Sequence, residues 1–193
     1  MWATNGDDDR SVAFAARLLE EDIQVRIIDK ESILSGHKLS RGSVVVIAMD
    51  NPEYENLTTQ IKEIAADLNI SVHSIESGFG PEELPDWGGR HFRLLKKPQI
   101  AILGHGNYNS YDVGVSWWSL DHHLGIRHSL VNGSFAGYAD LRRYNTLILP
   151  SGYSDMSASE LENLSEWIKN GGTLIAHNRS TRFLSSNEGL GNT

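Results

Sequence analysis

Residues 144–182 read YNTLILPSGYSDMSASELENLSEWIKNGGTLIAHNRSTR. Within them, the apolar runs Thr146–Leu149 and Thr173–Ala176 are typical of buried strands. Between the runs, Ser157 and Glu160 have the spacing of a capping box, which predicts the start of a helix that a double glycine ends. Two strands joined by a helix predict a right-handed crossover and a parallel strand pair.

The same alternation begins upstream of this stretch. Residues 98–103 predict a strand, residues 112–124 a helix that Gly125 stops, and residues 127–131 a short strand. The sequence therefore predicts an α/β domain over residues 98–193, with a mostly parallel sheet and flanking helices. We expect this domain to be truncated at its carboxyl end.

A smaller α/β unit is predicted over residues 1–76. Its predicted elements are, in order, a helix at 9–20, strands at 23–28 and 43–49, a helix beginning at Asp50-Asn51-Pro52, and a strand at 70–75. Four glycines and two prolines then fall within residues 77–89, a composition typical of loops. Residues 77–97 are therefore interpreted as a linker between the two units.

Composition excludes several classes of function. A net charge of −8 argues against nucleic acid as a partner, because phosphate binding needs clustered Lys and Arg. No apolar run reaches the ~20 residues that a membrane-spanning helix requires, so a membrane partner is not expected. The chain has no cysteine, which excludes disulfides, thiolate metal sites and a cysteine nucleophile.

Several segments, in their order and spacing, resemble the carboxyl-terminal region of bacterial zinc carboxypeptidases of the carboxypeptidase A-like class. The segments are Trp2-Ala-Thr-Asn5, Arg41-Gly-Ser-Val-Val45, Trp87-Gly-Gly-Arg-His-Phe92, Lys97-Pro-Gln-Ile-Ala-Ile-Leu103, Ser110-Tyr111, Trp117-Trp-Ser-Leu-Asp121, Tyr144-Asn-Thr-Leu-Ile-Leu-Pro150 and Gly171-Gly-Thr-Leu-Ile175. The resemblance implies that the second unit is class I glutamine amidotransferase-like, with a flavodoxin-like fold. It also implies a parent zinc metallocarboxypeptidase (a hydrolase), a secreted or periplasmic location, and the peptidase domain of the same parent chain as partner.

In the amidotransferase family, the strand equivalent to Thr173–Ala176 leads into a tight turn that presents a cysteine. In this chain His177, and next Asn178, stand at that place. The candidates for catalysis are His177, Asn178 and Ser151. We expect a vestigial cleft without a nucleophile, in a non-catalytic accessory or ligand-binding module. The alternative is a degenerate hydrolase that uses His177 with neighbouring polar residues such as His105, Ser151 or Ser180.

The polar loop at residues 104–111 follows the first strand of the second unit, where α/β folds place ligands. Its two glycines fit the start of a dinucleotide fingerprint, but the third glycine would fall on Asn109. A small polar ligand such as a sugar fits the loop better, with turn chemistry alone as the alternative. The predicted ligand-binding residues are His105, Asn107, Tyr108, Tyr111, Gly152 and Tyr153.

A zinc site is the remaining alternative. His73 and Glu76 have the His-x-x-Glu spacing of a carboxypeptidase, and His177 lies 177 − 73 = 104 residues further on. However, residues i and i+3 of a strand point to opposite faces, so His73 and Glu76 would diverge. We therefore expect neither a metal nor a cofactor.

Two pairs of adjacent residues lie on the helix predicted at residues 112–124. His122 and His123 project about 100° apart on a helix and cannot readily chelate one ion. Trp117 and Trp118 also face different directions, and we expect one of the two indoles to pack in the core.

Overall fold

The computed structural model describes residues 1–81, 83–104, 106–132, 140–152 and 156–185. The chain divides into two compact units, Met1–Lys97 and Pro98–Thr193. In the described part of the chain, no helix is long and apolar enough to span a bilayer.

The first unit is built on a five-stranded antiparallel sheet. Its strands are β1 (Trp2–Thr4), β2 (Arg26–Ile28), β5 (Val44–Val46), β6 (His73–Ser74) and β7 (Phe92–Leu94), in the spatial order β6-β1-β5-β2-β7. A separate hairpin consists of β3 (Ser32–Leu34) and β4 (His37–Leu39). The described residues of the unit also form two α-helices, α1 (Arg10–Glu20) and α2 (Leu57–Asp67).

The two faces of this sheet pack against different partners, as the alternation of strand side chains requires. Val44 and Val46 lie in a core with Phe14 and Leu18 of α1 and with Ile61 of α2. Val45 points the other way, into a second core that contains Leu34 and Leu39 of the hairpin. The sheet is therefore covered by helices on one face and by a hairpin on the other.

The predicted helix start at Asp50-Asn51-Pro52 is wrong. Residues Ala48–Asp50 form one 3₁₀ turn, and α2 begins only at Leu57. The side chain of Asn51 does not cap a helix, because its Oδ1 accepts from the Gln24 amide at 2.6 Å and its Nδ2 donates to the Gln24 carbonyl at 3.1 Å. This pairing also explains why the strand predicted from residue 23 begins at Arg26.

The stretch interpreted as a linker carries a strand of the first unit. β7 pairs with β2 in antiparallel register, with Arg26 opposite Leu94 and Ile28 opposite Phe92. Phe92 is buried in the second core. The unit boundary accordingly falls after Lys97, at the end of this stretch.

The second unit contains a four-stranded parallel sheet with helices, which confirms the predicted α/β class and parallel pairing. The strands are β8 (Ile100–Gly104), β9 (His128–Asn132), β10 (Thr146–Leu149) and β11 (Thr173–Ala176), in the spatial order β11-β10-β8-β9. The central register places Ile102 between Ile148 and Leu130. The predicted bounds of β10 and β11 agree with the structure.

In the described residues of this unit, three α-helices accompany the sheet: α3 (Ser110–Trp118), α4 (Ala158–Lys169) and α5 (Ser180–Ser185). The predicted capping box of α4 is present, since Ser157 and Glu160 bond to each other's backbone. α3 continues into one π-helical turn, Ser119–Leu124, which ends at Gly125 with φ +68°. The side chains of Leu164 and Trp167 pack α4 against one face of the sheet.

The expectation that one of Trp117 and Trp118 packs in the core is wrong, since the two are 45% and 52% exposed. The buried residue of α3 is Ser116. The Trp118 ring lies beside the imidazoles of the π-helical turn, with its centroid 5.1 Å from that of His122 and 6.5 Å from that of His123.

Candidate functional site

The candidate site lies at the carboxyl edge of the parallel sheet. β8 has β9 on one side and β10 on the other, so the direction of chain progression reverses between β8 and β10. In open α/β sheets, this reversal point opens the crevice in which ligands bind. The loops after β8 and β10, and the turn after β11, therefore define the place where function is expected.

The loops after β8 and β10 are bonded to each other. Tyr108 and Gly152 form an isolated antiparallel bridge, and the Asn109 amide donates to the Ser151 carbonyl oxygen at 2.7 Å. A Cβ on Gly152 would lie 2.7 Å from Cδ1 of Tyr108 and 2.8 Å from the Asn107 carbonyl oxygen. The absence of a side chain at Gly152 is thus what allows the two loops to meet.

Tyr108 fills the space beside this bridge. Its ring packs against the core of the second unit. Burial, and secondarily the negative charge of Glu160, raises the pKa of Tyr108 to about 12. The phenol is therefore protonated at neutral pH, so it can donate a hydrogen bond but cannot serve as a base.

The turn after β11 leads within three residues from the strand into helix α5. The His177 amide donates to the Leu149 carbonyl at 2.9 Å, which continues the strand pairing by one residue. Asn178 then takes φ +47°, and α5 starts two residues later. A sharp strand-to-helix turn of this kind exposes the nucleophile of α/β-hydrolases. Here the residue in the left-handed conformation is an asparagine, whose side-chain amide is not nucleophilic.

The Ser180 side chain makes a structural hydrogen bond. Its side chain is buried, and its hydroxyl donates to the carbonyl oxygen of Pro150 at 2.6 Å. A second acceptor, the Gly152 carbonyl oxygen, lies 3.5 Å away. The hydroxyl thereby ties the turn after β11 to the loop after β10 and is not presented to solvent.

The amino ends of α3 and α4 are already occupied. Asn109 Oδ1 accepts from the amides of Tyr111 and Asp112 at 2.9 and 3.3 Å. At α4, the Ser157 amide donates to Glu160 Oε2 at 2.6 Å. Each helix also carries a carboxylate in its first turn, and these negative charges oppose a bound anion. The amino ends of α3 and α4 are therefore poorly suited to bind a phosphate or a carboxylate.

The structure brings part of the predicted set together. Asn107, Tyr108 and Gly152 meet at the bridge, Ser151 is buried beneath it, and His177 and Asn178 are exposed at the neighbouring turn. Tyr111 lies in the first turn of α3 and is 83% exposed. His105 and Tyr153 lie outside the described residues.

The bond from the Ser180 hydroxyl to the Pro150 carbonyl oxygen was not predicted from the sequence. Nothing in the local sequence distinguishes this serine, since its partner lies 30 residues away. The only available signal is its position one turn after a strand, where a helix-initiating hydroxyl is common.

The residues of the zinc alternative take other roles. His73 lies in β6 and its ring stacks on that of His37, with centroids 4.4 Å apart. Among the described residues, no group of three or more His, Asp or Glu side chains is arranged to hold a metal ion. A separate His–Asp pair, His91 Nδ1 and Asp29 Oδ1 at 2.6 Å, joins the ends of β7 and β2.

Comparison with protein-family models, with curated proteins and with solved structures finds no match to this chain.

Proposed function

We propose that this chain is a non-catalytic accessory or ligand-binding module of a zinc carboxypeptidase-like protein. In this proposal, its second unit keeps the layout of a class I glutamine amidotransferase but lacks the reactive side chain. The cleft is vestigial for chemistry and retains at most the binding of a small polar ligand.

The observation that carries the proposal is the chemistry of the turn after β11. Asn178 holds the left-handed position of an elbow, and an amide cannot attack a carbonyl. The Ser180 hydroxyl is buried and bonded to Pro150. Among the described residues, no carboxylate bonds to the exposed ring of His177, whereas the imidazole of a catalytic triad is oriented by such an acid.

The strand order supports the finer fold assignment. Numbered within the second unit, the four strands have the spatial order 2-1-3-4. This order is the beginning of the flavodoxin-like arrangement 2-1-3-4-5. An amidotransferase-like unit would place its nucleophile after the fourth of these strands, β11, where this chain has His177 and Asn178.

The proposed partner is the peptidase domain of the same parent chain, in a secreted or periplasmic setting. This part of the proposal rests on the resemblance of the sequence segments. The capped and acidic helix ends support a neutral ligand at the edge, and exposed Asn107 can supply an amide to a sugar or a peptide group.

A degenerate hydrolase is the competing function. One feature favours it, namely the exposure of the His177 ring at the end of β11. An exposed imidazole can act as a base or a nucleophile without a partner, but only with the reactivity of free imidazole.

A fluorophosphonate probe tests the proposal directly, because it labels activated serines. We expect the intact mass of the treated chain to remain unchanged, since Ser151 and Ser180 are both buried. An adduct that maps to either serine and is lost in His177→Ala would contradict the proposal. Adduct formation on an exposed serine, unaffected by His177→Ala, would report only background chemistry.

A further inference from the structure

Two imidazoles stack where the β3–β4 hairpin meets the edge of the five-stranded sheet. The ring centroids of His37, in β4, and His73, in the edge strand β6, lie 4.4 Å apart, and the ring planes differ by 24°. Both residues are partly buried. The stack therefore joins the hairpin to the sheet through two side chains that normally change charge between pH 5 and pH 8.

The strand register directs the two rings into the same interface. His37 lies opposite Leu34 within the hairpin, and His73 lies opposite Ala3 of β1. Side chains directly opposite each other in an antiparallel pair share a face of the sheet. Leu34 and Ala3 are both buried in the second core, so the two imidazoles lie at the margin of that core, between the hairpin and the sheet.

Among the described residues, neither ring is paired with a carboxylate. Strands β1 and β3 carry no charged side chain. Lys38 follows His37 in β4, so it points to the opposite face of the hairpin, where it pairs with Glu31 at 3.1 Å. Glu76 is exposed, and alternation along the strand turns it away from the stack. The amino group of Met1, which donates to a backbone carbonyl oxygen just beyond β6 at 3.1 Å, is itself positive.

The charge of the two rings decides whether they attract or repel each other. Neutral aromatic rings stack favourably, and a single proton on the pair introduces no like charge. Two imidazolium rings 4.4 Å apart repel each other. At this distance the repulsion amounts to about fivefold in an equilibrium constant in water, and to more where the charges are partly buried. Opening of the hairpin separates the rings and removes the repulsion.

We propose that the His37–His73 stack is a pH-sensitive clasp, which holds the hairpin over the second core at neutral pH and loosens below about pH 6. The open hairpin accepts the second proton more readily than the closed one, so closure is favoured at higher pH and weakens as pH falls. Loosening makes the apolar side chains of Leu34 and Leu39 accessible, since the hairpin buries both against the sheet.

The other bonds of the hairpin do not titrate. Asn5 Nδ2 donates to the Lys38 carbonyl oxygen at 3.3 Å, and Ser32 Oγ donates to the Pro85 carbonyl oxygen at 2.6 Å. These bonds involve no group that changes charge near neutral pH. Acid therefore loosens the hairpin at the stack while the rest of the unit stays folded.

Hydrogen exchange of the backbone amides of residues 32–39, in the whole chain near pH 7.5 and near pH 5, tests the clasp. After correction for intrinsic exchange, wild-type protection of the hairpin should fall about five- to tenfold on acidification, relative to α2 of the same unit. His37→Gln and His73→Gln should each abolish this fall, because a single imidazole has no like charge to repel it. His122→Gln, in the other unit, is the matched control and should keep the wild-type fall.

A charge reversal tests the sign of the effect. His37→Glu places a carboxylate beside the protonated His73 ring, so protection of the hairpin should rise on acidification. Each comparison is a ratio within one variant, so a substitution that weakens the hairpin equally at both pH values does not obscure the result. Equal wild-type protection at the two pH values overturns the proposal. A fall that persists in both Gln variants, or in His37→Glu, overturns it as well.

Discussion

Replacing Ser180 by alanine separates a structural serine from a catalytic one. The hydroxyl of Ser180 is buried and lies 2.6 Å from the Pro150 carbonyl oxygen. Alanine removes this donor and leaves a carbonyl without its bond in a place that water does not reach freely. Loss of a hydrogen bond with an acceptor left unsatisfied costs about 1–3 kcal/mol, so Ser180→Ala should lower the free energy of unfolding of the second unit by that amount.

The assay is urea unfolding, read by hydrogen exchange of the strand amides of the second unit. Ser185→Ala is the matched control, because the hydroxyl of Ser185 is exposed and bonds to a carbonyl of the same helix, that of Arg182 at 3.2 Å. This control should change the free energy of unfolding by less than about 0.5 kcal/mol. If Ser180→Ala is as stable as Ser185→Ala, the serine does not hold the turn to the loop and the reasoning fails.

Three other changes probe the edge. Gly152→Ala should destabilise the second unit by about 1–3 kcal/mol in the same assay, since the added Cβ would meet backbone atoms at 2.8 Å. The control is Gly114→Ala, which has open space around it and should stabilise α3 by about 0.5–1 kcal/mol. Equal effects of the two substitutions would contradict the close approach of the loops. Because burial raises the pKa of Tyr108 to about 12, the free energy of unfolding of the second unit should hold below about pH 10 and decline as pH rises towards 12. Urea denaturation at a series of pH values should show this decline in the wild type and a smaller one in Tyr108→Phe. Identical curves would show that the phenol is not buried. Asn178→Ala should lower the free energy of unfolding by about 1 kcal/mol, whereas Asn178→Gly should leave it unchanged, because φ +47° disfavours a Cβ. Asn69, at φ +50°, is the matched position in the other unit. An Asn178→Ala variant as stable as the wild type would refute the strained turn.

The elements that could be predicted well are those fixed by signals a few residues apart. The bounds of β10 and β11 follow from short apolar runs between turn residues, and the start of α4 follows from the capping box of Ser157 and Glu160. Each of these signals acts within one turn or one strand, so a single sequence contains all of it.

The elements that were missed depend on distant partners. The segment around Asn51 is typical of a helix start, but the Asn51 side chain bonds to Gln24, 27 residues away. β7 follows a glycine-rich loop and forms a strand because it pairs with the edge of β2. Such pairings come from tertiary packing, which overrides local propensity.

The sequence predicts the location of the candidate site in the fold, but not the hydrogen bonds that hold it together. The edge after β8, β10 and β11 could be expected from the alternation of strands and helices. The bridge between Tyr108 and Gly152 and the bond of Ser180 could not, since they join segments of the chain that are far apart in sequence.

Hydrolysis of L-glutamine and of p-nitrophenyl acetate tests the absence of a working nucleophile most directly. The wild-type chain should release no ammonia from glutamine above the buffer rate. Ester hydrolysis should fall no further in His177→Ala than in His122→Ala, since both imidazoles are exposed. Saturable turnover of either substrate that disappears in His177→Ala and persists in His122→Ala would contradict the account.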